Sequence, residues 1–128
     1  MINGVVHERL PAGNYHEDER RTLTSVFNGD VPGFPVAEQL KVALLKENRT
    51  LGGHFHYYPE LFAVYSGRAV FRLTHPETGA IEEFELIPGM RLMIPPGIFH
   101  TADIEAGTVL LGLTQQRYIS PEINDHHP

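Results

Sequence analysis

The chain has 128 residues, 41% of them hydrophobic, the size and apolar content of one domain (1–128) with one core. Ten basic and sixteen acidic residues leave a formal charge of −6 with no Lys/Arg block, which argues against a nucleic-acid partner. There is no cysteine, which excludes disulfides and thiolate catalysis and leaves nitrogen and oxygen as donors for any metal. No apolar run reaches the roughly 18 residues of a membrane span, and Met1-Ile2-Asn3-Gly4 opens no secretory leader, so no membrane partner and a cytoplasmic location are expected.

In chain order, Ile2 to His7 reads as a short strand, followed by a turn at Leu10-Pro11-Ala12-Gly13-Asn14. His16 to Arg21 is a charged, solvent-facing stretch, and Leu23 to Phe27 is a second strand rich in β-formers. Asn28 to Gly33 is a Gly/Pro loop, and Val36 to Leu45 is an apolar strand with Lys41 inside it. Gly52-Gly53 leads into a strand carrying His54 and His56. Leu61 to Tyr65 is an apolar strand closed by Ser66-Gly67. Ala69, Phe71 and Leu73 alternate with Val70, Arg72 and Thr74, the period-2 signal of a half-buried strand. His75 to Gly79 makes a hairpin loop to Ile81–Leu86, and Pro88-Gly89 turns into Arg91–Ile94. After Pro95-Pro96-Gly97, the last strands are Phe99–Ile104 and Thr108–Leu113. Residues 115–128 form a polar C-terminal tail, expected to be loose unless it docks on a partner. The sum is about eight to ten short strands separated by Gly/Pro corners with no long helix, an all-β antiparallel barrel or double sheet. Closing such a sheet removes exposed edges and leaves a lined interior for a small-molecule substrate.

The chemistry concentrates in two places. His54 and His56 are two apart, which on a strand puts both imidazoles on one face; Glu60 follows after Pro59, and His100 stands beside the Pro95-Pro96-Gly97 turn. Three imidazoles and one carboxylate make a mononuclear site for a divalent ion, with Fe, Mn, Ni, Co and Zn all admitted by the donor set. If no metal binds, His54 or His56 is the best general base. Tyr57, Tyr58 and Tyr65 are candidates to donate a hydrogen bond or a phenol proton, with Tyr57 and Tyr65 taken as catalytic; rim or core packing is the plain alternative. Arg72, Arg91 and Lys41 are candidates to fix an anionic group, and Phe99 to wall the site. Gly67, Gly89 and Gly97 serve backbone corners. His7, His16 and His75 read as surface residues, and His126-His127 as an adventitious metal binder.

His54, His56, Glu60 and Gly67 fall at the spacings of the first cupin motif, and Gly89, Pro95, Gly97 and His100 at those of the second. The chain therefore resembles the cupin superfamily. Asn48 stands where the first motif usually opens with glycine, and Ile104 where the second ends with asparagine. The resemblance implies a double-stranded β-helix (the cupin jelly-roll barrel), a metal held by His54, His56, Glu60 and His100, and a homodimer, with Ile2–His7 adding a strand to the partner. A narrower likeness joins Asp18 to Thr24, the Gly53-His54-Phe55-His56 strand and the ending Arg117 to Glu122 to cupins acting on nucleotide-linked keto-sugars. In the ketoisomerases of that group paired histidines are thought to shuttle protons without a metal, and Arg or Lys usually precedes the first histidine; here Leu51-Gly52-Gly53 does. The function implied is an isomerase or epimerase on a keto-sugar or similar carbonyl compound. An Fe(II) dioxygenase, a polyketide cyclase, lyase or decarboxylase, and a non-catalytic binder are the alternatives, because one fold hosts many chemistries.

Overall fold

The computed structural model describes residues 1–127. The strands are β1 (Val6–Arg9), β2 (Tyr15–Glu17), β3 (Thr22–Thr24), β4 (Gln39–Leu44), β5 (Arg49–His54), β6 (Glu60–Ser66), β7 (Ala69–Thr74), β8 (Ile81–Leu86), β9 (Met90–Ile94), β10 (Phe99–Ile104) and β11 (Val109–Thr114). A single helical turn, α1 (Pro121–Asn124), follows them. Every strand pairing is antiparallel. One sheet runs β1-β9-β6-β11-β4, the second β5-β10-β7-β8, and β2-β3 form a small hairpin.

Period-2 alternation divides each strand between two surroundings. Phe62, Val64, Phe71, Leu73, Leu92, Ile94, Ala102 and Ile104 face inward and form the main core between the two large sheets. On β6 and β9 the alternate residues Leu61, Ala63 and Met93 are buried too, because Val26, Val31 and Phe34 from the 25–37 segment cover the outer face of that sheet. Cover on both faces explains why Leu61–Val64 is a continuous apolar run rather than an alternating one. No helix of the described residues is long and apolar enough to cross a membrane.

Two expectations change. The first strand does not extend from Ile2: Ile2 packs into the main core, Gly4 turns with φ +85°, and β1 pairs along its length with β9 of its own sheet. The C-terminal tail is not loose through residue 127. It folds back on its own chain through α1, and an antiparallel bridge joins Phe55 to His126.

Candidate functional site

Three strands and one turn bring the histidines together. His54 ends β5 and pairs directly with His100 of β10, after which a bulge shifts the register so that Thr101 faces Gly52. Gly52 has φ +96°, and a Cβ there would stand 2.7 Å from the His100 carbonyl oxygen, so only glycine lets β5 approach this closely. His56 follows on the same face as His54, and Glu60 opens β6 with its side chain directed inward like Phe62 and Val64. One ring nitrogen from each of His54, His56 and His100 lies within 4.8 Å of the other two. Glu60 Oε1 stands 3.0 Å from His56 Nε2 and 3.4 Å from His100 Nε2.

Hydrogen bonding assigns the ring nitrogens. His56 Nδ1 donates to the Asn124 main-chain oxygen at 2.6 Å, and His100 Nδ1 donates to that of Ile98 at 3.4 Å. In their neutral forms both rings then present a bare Nε2 lone pair to the cluster. Glu60 Oε1, buried, receives no well-aligned hydrogen bond. Acceptor atoms facing each other in a buried place are stable only around a cation or a shared proton. The donor set fits a divalent ion: with bonds of about 2.1 Å, neighbouring donors on one ion stand roughly 3 Å apart, close to the separation of Glu60 from His56 and from His100.

The protonation balance agrees with this. Burial pushes the His54 imidazole below its ordinary value, and His100 and His56 push the same way. Burial also opposes charge on His56, but the Glu60 carboxylate, the Asn124 carbonyl and Asp125 together outweigh it and raise this imidazole. His100 is lowered, chiefly by burial, against the pull of Glu60. Burial pushes the Glu60 carboxyl up, yet His56, His100 and Lys41 hold it below the usual carboxylate range. With no metal bound, these shifts make His56, beside the Glu60 carboxylate, the imidazole of the three that most readily takes up a proton, while His54 and His100 are held toward their neutral forms.

A cavity of about 170 Å³ opens from the cluster into the barrel. Its polar side chains are Lys41, His54, Glu60 and His100, and the rest of its wall is apolar or glycine, including Leu51, Phe62, Phe71, Ala102, Ile104 and Leu110. A second recess of about 80 Å³ lies on the tail side of the cluster, lined by Gln39, Tyr58, Thr114, Tyr118 and Asp125 together with Lys41, His54, His56 and Glu60. Lys41, His54 and Glu60 border both spaces. Lys41, though exposed, borders both spaces because on β4 it shares a face with half-buried Gln39 and Ala43, while Leu40, Val42 and Leu44 lie on the exposed outer face.

The structure places other sequence candidates elsewhere. Tyr57 is 70% exposed, and Tyr65 is 42% exposed with its hydroxyl toward the Thr22 carbonyl at 3.4 Å; neither lines either space. Arg72 points outward from β7, between inward-facing Phe71 and Leu73. Arg91 is 1% exposed but lies on the outer face, where it bonds the Val26 carbonyl, Asp30 and Glu8 and is unavailable to a ligand in the barrel. Phe99 is half-buried and lines neither space. Tyr58, weighed beside Tyr57, is the tyrosine at the cluster: its ring stacks on His56 with centroids 4.7 Å apart and planes 13° apart. Counting by twos from His54 and His56 selects Tyr58 and rejects Tyr57. Asn124 and Asp125 carry no sequence signal, because their contacts with His56 depend on the tail folding back.

No protein-family model matches the sequence, and no curated protein matches it significantly. Solved structures do match in fold. A 3,4-ketoisomerase from Thermoanaerobacterium thermosaccharolyticum, in complex with TDP, superposes with a TM-score of 0.80 at 23% identity over 100% of this chain and 90% of that one. A TDP-quinovose 3,4-ketoisomerase from Campylobacter jejuni gives a TM-score of 0.80 at 18% identity, covering 99% and 95%. This chain has the cupin fold. A dTDP-4-dehydrorhamnose 3,5-epimerase from Sulfolobus tokodaii gives 0.73 at 19% identity, covering 93% and 79%. In this chain both motif regions reach the same end of the barrel: His54, His56 and Glu60 come from one and His100 from the other.

Proposed function

We propose that this cupin is an isomerase or epimerase that moves a proton on a carbon next to the carbonyl of a keto-sugar, nucleotide-linked or of similar chemistry. The observation that carries the reading is the convergence of His54, His56, His100 and buried Glu60 at the mouth of an otherwise apolar barrel cavity. The fold neighbours are 3,4-ketoisomerases and 3,5-epimerases of TDP-linked sugars, which supports the same reaction class.

His54, His56, Glu60 and His100 would hold one divalent ion, which would supply Lewis-acid stabilisation of an enediolate oxygen. Lys41, which borders the same cavity, would bring a positive charge toward the developing oxyanion. Phe62, Phe71, Ile104 and Leu110 keep bulk water from the reacting carbon, so that a protein group carries the proton and itself exchanges with solvent between transfers. A second reading, without an ion, makes His54 the base. It is neutral at pH 7, the least buried of the three histidines, and borders both spaces, so it can take a proton from carbon and return it. We also infer a homodimer, supported by the exposed outer row Leu40, Val42 and Leu44 on edge strand β4.

The test is solvent exchange. TDP-4-keto-6-deoxyglucose, the ligand of one neighbouring ketoisomerase structure, would be incubated with the protein in D2O and followed by proton NMR. Deuterium entering the carbon beside the carbonyl, and lost with Lys41→Met and His54→Asn, supports the reading. No exchange, together with no line broadening of the ligand on binding, removes the nucleotide-sugar substrate.

A further inference from the structure

The tail does more than cover the barrel end. Its one turn is capped by Ser120, whose side chain accepts from the Ile123 amide, and the Asn124 and Asp125 amides bond back to Ser120 and Pro121. Asn124 is buried, and its side chain is fully used: Oδ1 accepts from the Ile119 and Ser120 amides at 2.7 and 3.1 Å, while Nδ2 donates to Tyr58 Oη and the Arg117 carbonyl, both at 3.2 Å. The Phe55–His126 bridge pins the far side, with hydrogen bonds of 2.8 and 3.0 Å. The Asn124 carbonyl is thus held rigidly against His56 Nδ1, and Asn124 also steadies the Tyr58 ring stacked on the same imidazole.

We propose that Asn124 is a positioning residue that locks His56 with its proton on Nδ1, so that Nε2 faces the cluster and the tail sets how well the cluster binds a metal cation. The physical basis is general. An imidazole whose outer N–H is fixed by a carbonyl has its inner nitrogen defined as the ligand or base, and loss of such a partner weakens metal binding about 10–100-fold. The relevance to turnover rests on the reading of the cluster as the reacting centre; the tautomer itself does not.

The experiment uses full-length protein labelled with 15N-histidine, with long-range 1H–15N correlation spectra recorded metal-free and after adding Zn(II). In the parent, His56 is expected to show a protonated Nδ1 in both states and a metal-shifted Nε2 with zinc. Asn124→Ala keeps the carbonyl but removes its anchors, so it is expected to mix the tautomers and weaken zinc about 10–100-fold. Tyr58→Phe deletes a single hydroxyl, which keeps the test open if Asn124→Ala fails to fold, and is expected to weaken zinc several-fold. An unprotonated Nδ1 in the parent, metal-free or with zinc, overturns the proposal. So does zinc affinity within twofold of the parent in a folded Asn124→Ala, or in Tyr58→Phe where Asn124→Ala does not fold. If zinc does not bind the parent, the metal-free spectra decide on the tautomer alone, and the failure belongs to the metal reading. Because turnover is not measured, a wrong substrate class leaves this result intact.

Discussion

Arg91 separates a structural from a ligand-binding role. Its guanidinium is 1% exposed and meets Glu8 at 3.2 Å and Asp30 at 3.1 Å, whose side chains are 39% and 33% exposed. Removing both carboxylates in Glu8→Ala with Asp30→Ala leaves a buried cation with the Val26 carbonyl as its remaining partner and Nε already unpaired. Stranding a buried charge costs about 3–5 kcal/mol. Arg91→Met removes the buried charge and retains most of the packing, and its loss is expected to be about 1–2 kcal/mol, since the Glu8 and Asp30 carboxylates it leaves are part-exposed and are solvated by water. Asp30 adds a pH signature. Burial raises its carboxyl, but the Arg91 guanidinium and the Asn28 amide outweigh this and hold it below its ordinary value of 3.8. A carboxyl depressed in the folded state contributes stability above its unfolded value, and that contribution is lost as pH falls through the folded value. The gap between parent and double variant should therefore be widest near pH 7 and shrink below about pH 4. Urea unfolding across pH reads both quantities, with ligand or zinc binding as control. A double variant within 1 kcal/mol of the parent at pH 7, or an Arg91→Met protein that folds normally but loses ligand binding, would refute the reasoning.

Other substitutions follow from the same geometry. Gly52→Ala puts a methyl against the His100 carbonyl at a positive φ, so it should lower zinc affinity at least tenfold by titration calorimetry, beyond any loss of thermal stability. Tyr57→Phe, Tyr65→Phe and Arg72→Ala lie outside both spaces and should leave exchange rates within twofold and stability within about 0.5 kcal/mol. Val42→Glu, in the exposed row of β4, should convert a dimer to a monomer in light scattering without changing the far-UV spectrum; an unchanged mass would move the interface elsewhere.

The sequence was most legible where alternation and turn chemistry agree. β6 to β11 follow the Gly/Pro corners closely, and the motif spacings bring His54, His56, Glu60 and His100 to one place. Orientation was harder to read on strands covered on both faces. β9 is apolar on each side of Arg91, so nothing local says which face the guanidinium takes; the 25–37 segment decides it by supplying Val26 and Asp30. β4 inverts the usual rule, with Leu40, Val42 and Leu44 outside and Gln39 and Lys41 inside, because its inner face borders the cluster and cavity rather than the core alone. The tail was unreadable for a different reason. Its composition is polar, and what orders it is a set of main-chain contacts to residues about seventy positions away, which leave no pattern in side-chain type.

The account turns on what lies between His56, His100 and Glu60. Metal content by plasma mass spectrometry decides it, on untagged protein purified without nickel resin or chelator, beside His54→Ala and His100→Ala. About one equivalent of a divalent metal is expected in the parent, lost in both variants while the His126-His127 pair is intact. Less than about a tenth of an equivalent, even after metals are offered back, would contradict a metal centre and leave a proton shared by His56 and Glu60, with His54 as the base.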